Sequence, residues 1–416
     1  MSRVTQNLPS LADAEWLKAA AVARIFALLA AGGEEARVIG GAVRNALMGV
    51  PVGEIDFATT ATPDRVMALA ADAGIKAVPT GIDHGTVTLV IGGRGFEVTT
   101  LREDIATNGR HAVVRFGRDW EADARRRDFT VNALSVDSSG KVHDPVGGAA
   151  DIAARRIRFI GDADTRIAED RLRVLRLFRF QAEYGTGAID PDGLAAAMRA
   201  RNDLRELSAE RIGQEMRRLV VAPGAAAIAA LMQESGVLPV VLGGVGYLAQ
   251  FARLAVVEAA AGMSPSAAVR LAVLACRIEE DVQRITARLR LANVERDRML
   301  ALLASARDLS PMPGERAARR ILYRARAETF RDGVAFAAAW DTGEDPEWAA
   351  LYRLPERWPP PVFPLLGRDV IGDGSVRGPA VGTLLRAVEA WWIDEDFAPD
   401  ETALRARLQQ MTAAQQ

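Results

Sequence analysis

The hydrophobic pattern changes character once along the chain. Between residues 36 and 145, apolar residues come in short alternating or β-branched runs parted by glycine turns: "RVIGG", "EIDFAT", "GTVTLVIGGRGFEVTTL" and "FTVNALSVD". Such runs predict strands. From about residue 150 onward Ala, Leu and Arg dominate, with few β-branched stretches, and the spacing predicts helices to the end of the chain. The expected fold class is therefore α+β, a head with a mixed sheet followed by an all-helical remainder. Within the helical part, "VAPG" at 221–224 and "RWPPPVFP" at 357–364 are the expected breaks. The division that follows is a head over residues 1–157, a neck over 158–224, a body over 225–356 and a tail over 357–416.

One polar interruption carries chemistry. In "GEIDFAT", Glu54 and Asp56 lie two apart, so in a strand they share a face while Ile55 points to the core. Two adjacent carboxylates repel. They are either solvated on an edge or held ionised by a divalent cation. A third acid changes the balance: the "IGGRG" turn makes 85–91 and 95–101 a hairpin, with Glu97 opposite in face to Phe96 and Val98. Carboxylates on neighbouring strands suit two-metal phosphoryl or nucleotidyl transfer. Just upstream, "VIGGAVRNALMG" reads as a strand, a Gly40-Gly41 turn and a helix starting near Ala42. Glycine lets the backbone approach a phosphate, a helix N-terminus offers it free N–H groups, and Arg44 adds a charged fork.

Composition narrows this only a little. A chain of 416 residues implies two to four domains, and 49% hydrophobic with 25% charged residues is an ordinary globular balance. No run of apolar residues is long enough to span a membrane, and the start lacks the charged-then-apolar pattern of a secretion signal. The single Cys276 excludes a disulfide framework and fits a cytoplasmic setting. A net charge of −2 is silent on nucleic acid, but 49 of the 52 basic residues are arginine, whose planar fork suits phosphates and base edges. The plainer account of that excess is a GC-rich genome, which favours Arg and Ala codons alike.

The segment "GGAVRNALMGVPVGEIDFATT" resembles the head motif of the polymerase-β-like nucleotidyltransferases, specifically class II tRNA CCA-adding enzymes and bacterial poly(A) polymerases. The resemblance continues in order through "GTVTLV", "FEVTTLRED", "RRRDFTVNAL", "DPVGG" and "EDRLRVLRLFRF", and more loosely through "GRDVIGDGSVRGPAVGTLL". It implies a polymerase-β-like head and helical neck, body and tail. It also implies template-independent addition of C, C and A to a tRNA 3′ end from CTP and ATP. Glu54 and Asp56 would ligate two Mg²⁺, with Glu97 the third carboxylate near the primer 3′-hydroxyl. Gly40, Gly41 and Arg44 would hold the triphosphate, and Arg127 and Asp128 the ribose. The tail would contact tRNA, with no membrane association, and the chain would be a monomer or weak dimer.

The neck segment "AEDRLRVLRLFRF" places Asp170, Arg173, Arg176 and Arg179 three apart, so that they are expected to share one helix face. The plain interpretation is an exposed salt-bridge ladder. The resemblance implies instead that Asp170 and Arg173 are an amino-acid template, with Arg176 and Arg179 beside the nucleotide. The chemistry is sound: cytosine and adenine both show an amine donor beside a ring-nitrogen acceptor, matching an Asp acceptor and an Arg donor. Uracil and guanine present the opposite complement. Glu169, four residues before Arg173, would orient it. Two positions depart from the family pattern. Glu54 stands where Asp is usual, one methylene longer, and Asn45 replaces an Asp at a position that looks structural. The alternatives are a poly(A) polymerase or A-adding enzyme of the same fold, and a catalytically impaired RNA-binding homologue. His84, His111 and His143 all lie in the head, so the helical part carries no histidine ligands for a phosphohydrolase centre; His84 is expected to shape a turn.

Overall fold

The structure, a computed structural model, describes residues 8–82, 85–108, 111–341, 345–371 and 378–414. His84, the side chain of His111 and the middle of the C-terminal "GRDVIGDGSVRG" stretch lie outside the described residues. The chain forms two compact units, Met1–Gly244 and Val245–Gln416. The breaks at 222–224 and 358–366 fall inside the first and second unit respectively.

The first unit is organised by a mixed seven-stranded sheet. Its strands are β1 (Ala36–Ile39), β2 (Asp56–Thr59), β3 (Lys76–Gly81), β4 (Thr86–Ile91) and β5 (Arg94–Thr100), then β8 (Ser135–Val136) and β9 (Val142–His143). Their order is β3-β4-β5-β2-β1-β8-β9. Only β2 and β5 run parallel. Between β5 and β8 the chain makes a separate two-stranded ribbon, β6 (Arg102–Asn108) and β7 (His111–Phe116), which the sequence pattern did not suggest.

Register explains which face is dry. Val87, Val98, Phe57, Val38 and Val136 stand opposite one another on successive strands, and all five are fully buried. The helices Ala20–Ala31 and Pro63–Asp72 cover this row. The first presents Val22, Ile25, Phe26 and Leu29 at helical spacing, with Phe26 edge-on to Phe57 at 5.2 Å. The second starts at a Thr62 cap with Pro63 in its first turn. Because side chains alternate, the residues between those valines face the other way, towards the candidate site.

"FTVNALSVD" is not one strand. Thr130–Asn132 form a 3₁₀ turn before β8. Their side chains are used inward: Thr130 Oγ1 donates to Asp151 at 2.6 Å, and Asn132 Nδ2 to Asp128 at 3.0 Å. Those bonds outweigh the β-propensity of the segment. From Gly148 onward the described chain is helical, as the pattern predicts. The second unit packs helices around Phe330, Val334 and Trp348. Its C-terminal end has its own cluster of Leu384, Val388, Trp392, Leu404 and Leu408. No helix among the described residues is long and apolar enough to cross a membrane.

Candidate active site

The wet face of the sheet reads, strand by strand, as a line of polar chemistry. Ile39 pairs with Asp56 on one side and with Ser135 on the other, and Ser135 pairs with His143. Phe57 pairs with Val98; continuing that register back one residue sets Asp56 beside Glu97. Strand β2 begins at Asp56, so Glu54 lies in the approach to the strand and not within it. The alternation still holds there, since Glu54 is exposed, Ile55 buried and Asp56 half-buried. Arg94 Nη2 pins the approach by donating to Gly53 O at 2.7 Å.

The electrostatics single out Asp56. Burial first, then the charges of Glu97 and Glu54, push its carboxyl up to about 6, and Arg127 opposes them. Among the described residues no three His, Cys, Asp or Glu side chains are gathered closely enough to hold a metal ion. Glu54 and Glu97 are both exposed and free to swing. The donor set nonetheless fits a hard divalent cation. Carboxylate oxygens are available from two strands and the approach to one of them, and the negative charge at Asp56 is in excess.

Beside Asp56 lies the turn into the helix Gly41–Met48. Gly40 adopts φ 64° and ψ −120°, a conformation closed to residues with a side chain. Gly41 is different: a Cβ there would meet only the Arg44 guanidinium at 3.7 Å, an ordinary contact. Arg127 reaches the same turn, since a Cβ on Gly40 would come within 3.7 Å of its Nη1.

Arg44, expected at the triphosphate, lies in a hydrogen-bonded cluster beside the turn. It is buried, and its guanidinium turns inward to Asn132 Oδ1 (2.5 Å), Asn45 Oδ1 (2.8 Å) and the Tyr184 hydroxyl (2.8 Å), stacking 4.0 Å over the Tyr184 ring. It braces the glycine turn from behind. Asn45 is structural, its amide donating to Pro51 O at 2.9 Å. Arg127 and Asp128 do not pair with each other: Arg127 donates to Asp123 at 2.9 Å, and Arg176 to Asp128 at 2.7 Å. Burial would raise Asp128, but Arg176, Asn132 and the Phe129 N–H together hold it below the usual carboxylate range.

The neck differs from a single helix. One helix ends at Glu169 and the next spans Arg173–Tyr184, with Asp170 extended between them (φ −151°, ψ 106°). Asp170 therefore does not share a helical face with Arg173. One of its oxygens accepts from Leu172 N at 3.1 Å and the other from Arg211 at 2.8 Å. Arg173 is held by Glu169 Oε2 at 2.5 Å, by Arg166 O and by Arg126 O. Arg176 and Arg179 form no exposed ladder. Arg179 is 2% exposed and bound to Glu215 at 2.5 Å and Glu183 at 2.8 Å, while Arg176 lies 3.6 Å from Glu215.

These contacts close a ring. Asp128, Arg176, Glu215, Arg179, Glu183, Tyr184, Arg44 and Asn132 are joined in that order, and Asn132 returns to Asp128. Three of its guanidiniums, of Arg44, Arg176 and Arg179, lie over the ring of Phe180 at 4.2–5.2 Å. Sequence reading missed Arg211, Glu215 and Tyr184. Arg211 and Glu215 are four apart on one helix, which marks a common face but not its partners.

Comparison with known proteins agrees with this architecture. The family model of the Poly A polymerase head domain matches residues 36–158. The mitochondrial CCA tRNA nucleotidyltransferase 1 of Mus musculus is 32% identical over 384 residues, covering 91% of this chain and 87% of that one. The CCA-adding enzyme of Geobacillus thermodenitrificans is 41% identical over 206 residues, about half of each chain. In three dimensions, the Bacillus stearothermophilus CCA-adding enzyme solved in complex with CTP superposes with a TM-score of 0.73 at 30% identity, over 94% of this chain and 97% of that one. A shared head and a likeness that runs through nearly the whole of both chains lead to one conclusion: this chain belongs to the CCA tRNA nucleotidyltransferase family.

Proposed function

We infer that the protein adds C, C and A to the 3′ end of tRNA, taking CTP and ATP and using no nucleic-acid template. The observation that carries this reading is the placement of Asp56, which lies between a neighbouring carboxylate on β5 and the Gly40-Gly41 turn on β1. Acids on one side and a helix N-terminus with Arg127 on the other suit a primer hydroxyl and a triphosphate meeting over Asp56. Gly41, whose own packing does not demand glycine, leaves room for a phosphate against the backbone. Glu54 and Asp56 would hold two Mg²⁺, which supply Lewis-acid activation of the hydroxyl and neutralise the triphosphate. Arg127 orients the ribose and α-phosphate, and Asp128, locked by Arg176, fixes the backbone beside it. The same fold would serve a poly(A) polymerase. Incubating the protein with tRNA lacking its terminus, Mg²⁺, and CTP or ATP singly and together separates the two: addition stops after CCA in one case and runs on with A in the other.

In the neck, Asp170 and Arg173 are each fixed from behind, by Arg211 and by Glu169, which leaves lone pairs of one and N–H groups of the other for a base edge. Replacing Asp170 with Ala is expected to relax discrimination against UTP and GTP by about tenfold or more, the worth of one lost charged hydrogen bond, with a smaller effect on triphosphate affinity. Single-nucleotide incorporation with all four triphosphates measures this. A uniform fall in all four would make the neck a scaffold.

The extra methylene of Glu54 has a structural setting that tolerates it, since the residue is exposed and precedes the strand. Glu54→Asp is expected to leave kcat/KM within about threefold of wild type. A loss much larger than this in steady-state CTP incorporation would mean that the approach to β2 is fitted to glutamate.

A further inference from the structure

One buried carboxylate in the head holds two arginines whose other contacts lead in different directions. Asp123 lies on the short helix Trp120–Arg125 and is 4% exposed. Its Oδ1 accepts from Arg126 Nε at 2.9 Å and Nη2 at 2.7 Å, and its Oδ2 from Arg127 Nη2 at 2.9 Å. Burial would raise the carboxyl, but the charges of Arg127 and Arg126, with hydrogen bonds from both, hold it below the usual carboxylate range. On the Oδ2 side, Arg127 reaches the Gly40 turn with its Nη1, and its charge is felt at Asp56. Without Asp123, the excess negative charge around Asp56 would draw Arg127 in. On the Oδ1 side, Arg126 fixes the turn that ends the helix. The carbonyls of this turn serve the neck: Arg125 O accepts from Arg166 at 3.3 Å, and Arg126 O from Arg173 at 3.2 Å. Carbonyls left over at a helix C-terminus favour such cations.

Both neck donors are also tied to Glu169, Arg166 at 2.7 Å and Arg173 at 2.5 Å. Arg173 is thus anchored to the head as well as to the neck, on a turn that Asp123 holds. We propose that Asp123 is a positioning residue that sets sugar and base selection together, through Arg127 on one oxygen and through the Arg126 turn under Arg173 on the other. Asp123 is enclosed by the two guanidiniums and acts only through them. Arg127, held from behind, keeps N–H groups for a ribose hydroxyl, which a deoxynucleotide lacks at the 2′ position. The inference rests on the nucleotidyl-transfer reading, in which Arg127 meets the ribose and Arg173 the base. It adds that the two selections share one support and are lost together.

The test is discrimination, not rate. Single-nucleotide incorporation onto tRNA lacking its terminus gives kcat/KM for CTP, dCTP and UTP in wild type, Asp123→Asn, Asp123→Glu and Arg126→Gln, with a thermal melt to verify folding. Asparagine keeps the shape of the side chain and removes its charge. It is expected to lower both the CTP/dCTP and the CTP/UTP ratio about tenfold, the worth of a lost charged hydrogen bond at each end. Asp123→Glu keeps the charge and should hold both ratios within about threefold of wild type. Arg126→Gln releases the turn but not Arg127, and should lower the CTP/UTP ratio alone. A folded Asp123→Asn that loses rate with both ratios unchanged overturns the proposal, because Asp123 is then only a brace. So does a fall in one ratio without the other. An Arg126→Gln with the CTP/UTP ratio of wild type overturns it whether or not Asp123→Asn folds. A wild-type protein that adds no nucleotide, or takes dCTP as readily as CTP, overturns instead the reading on which the inference rests.

Discussion

Asp56→Asn should abolish nearly all nucleotide incorporation while leaving the metal-free protein more stable than wild type near neutral pH. The first half follows from removing the one carboxylate that stands between both others, at a cost of several kcal/mol of charge stabilisation, about a thousandfold or more in rate. Activity above a tenth of wild type would exclude Asp56 as the central ligand. The second half follows from the carboxyl being pushed up to about 6 from its ordinary 3.8, by burial and then by Glu97 and Glu54. The folded protein binds that proton more tightly than the unfolded chain does. The stability that this carboxyl contributes is therefore fully present below about pH 4, is lost as the pH rises through 6, and stays lost above it. Asparagine removes the penalty, worth about 1–2 kcal/mol after discounting for partial exposure, or a few degrees of melting temperature. In EDTA at pH 8 the variant should melt higher than wild type, with the gap closing near pH 4. Added Mg²⁺ should raise the wild type alone. A variant that melts no higher at pH 8 would mean that the carboxylates do not strain one another.

Arg179→Ala should be the most destabilising single change in the neck. The side chain is 2% exposed, and its removal leaves Glu183 to the Tyr184 hydroxyl and the buried Glu215 to Arg176, at 3.6 Å. Breaking one partner out of a buried ion pair costs about 3–5 kcal/mol. Arg179→Lys keeps the charge but loses the fork that spans both acids, and should cost about half as much. The double variant Arg179→Met/Glu215→Met should recover much of the loss, because it removes the stranded acid and leaves Arg176 bound to Asp128. Urea unfolding followed by circular dichroism reads all three. A loss below about 1 kcal/mol in Arg179→Ala would return these arginines to the surface ladder that their spacing first suggested.

Much of the head was legible because its signals are local. The alternation of 86–91 and 94–100, the glycine turn between them and the positive φ required at Gly40 are each decided within a few residues. So was the pairing of Glu54 with Asp56, although the strand starts later than the pattern suggested. The neck was less legible, for a physical reason. Three-residue spacing places charges on one face but does not tell solvent from a buried partner, and Arg179 meets Glu215 across 36 positions. The helix break at Asp170 depends on a backbone turn that its own side chain caps at Leu172 N, a contact that competes with helix and leaves no mark in periodicity. Arg44 shows the same limit: the motif gives its place at the turn, while its orientation is set by Tyr184, 140 residues away.

The ring that ties Asp128, Asn132 and Arg44 to Arg176, Arg179, Glu183, Tyr184 and Glu215 bears on modularity. The recognisable head ends at residue 158, yet these bonds pass from one side of that border to the other. A fragment cut there exposes the Phe180-facing side of the head and leaves Asp128 without Arg176 and Arg44 without the Tyr184 hydroxyl. The unit that can be inherited, swapped between relatives or expressed alone is therefore larger than the unit that sequence similarity outlines. A chimera joined at residue 158 receives half of a charge circuit from each parent, and works only where both halves were built to the same spacing.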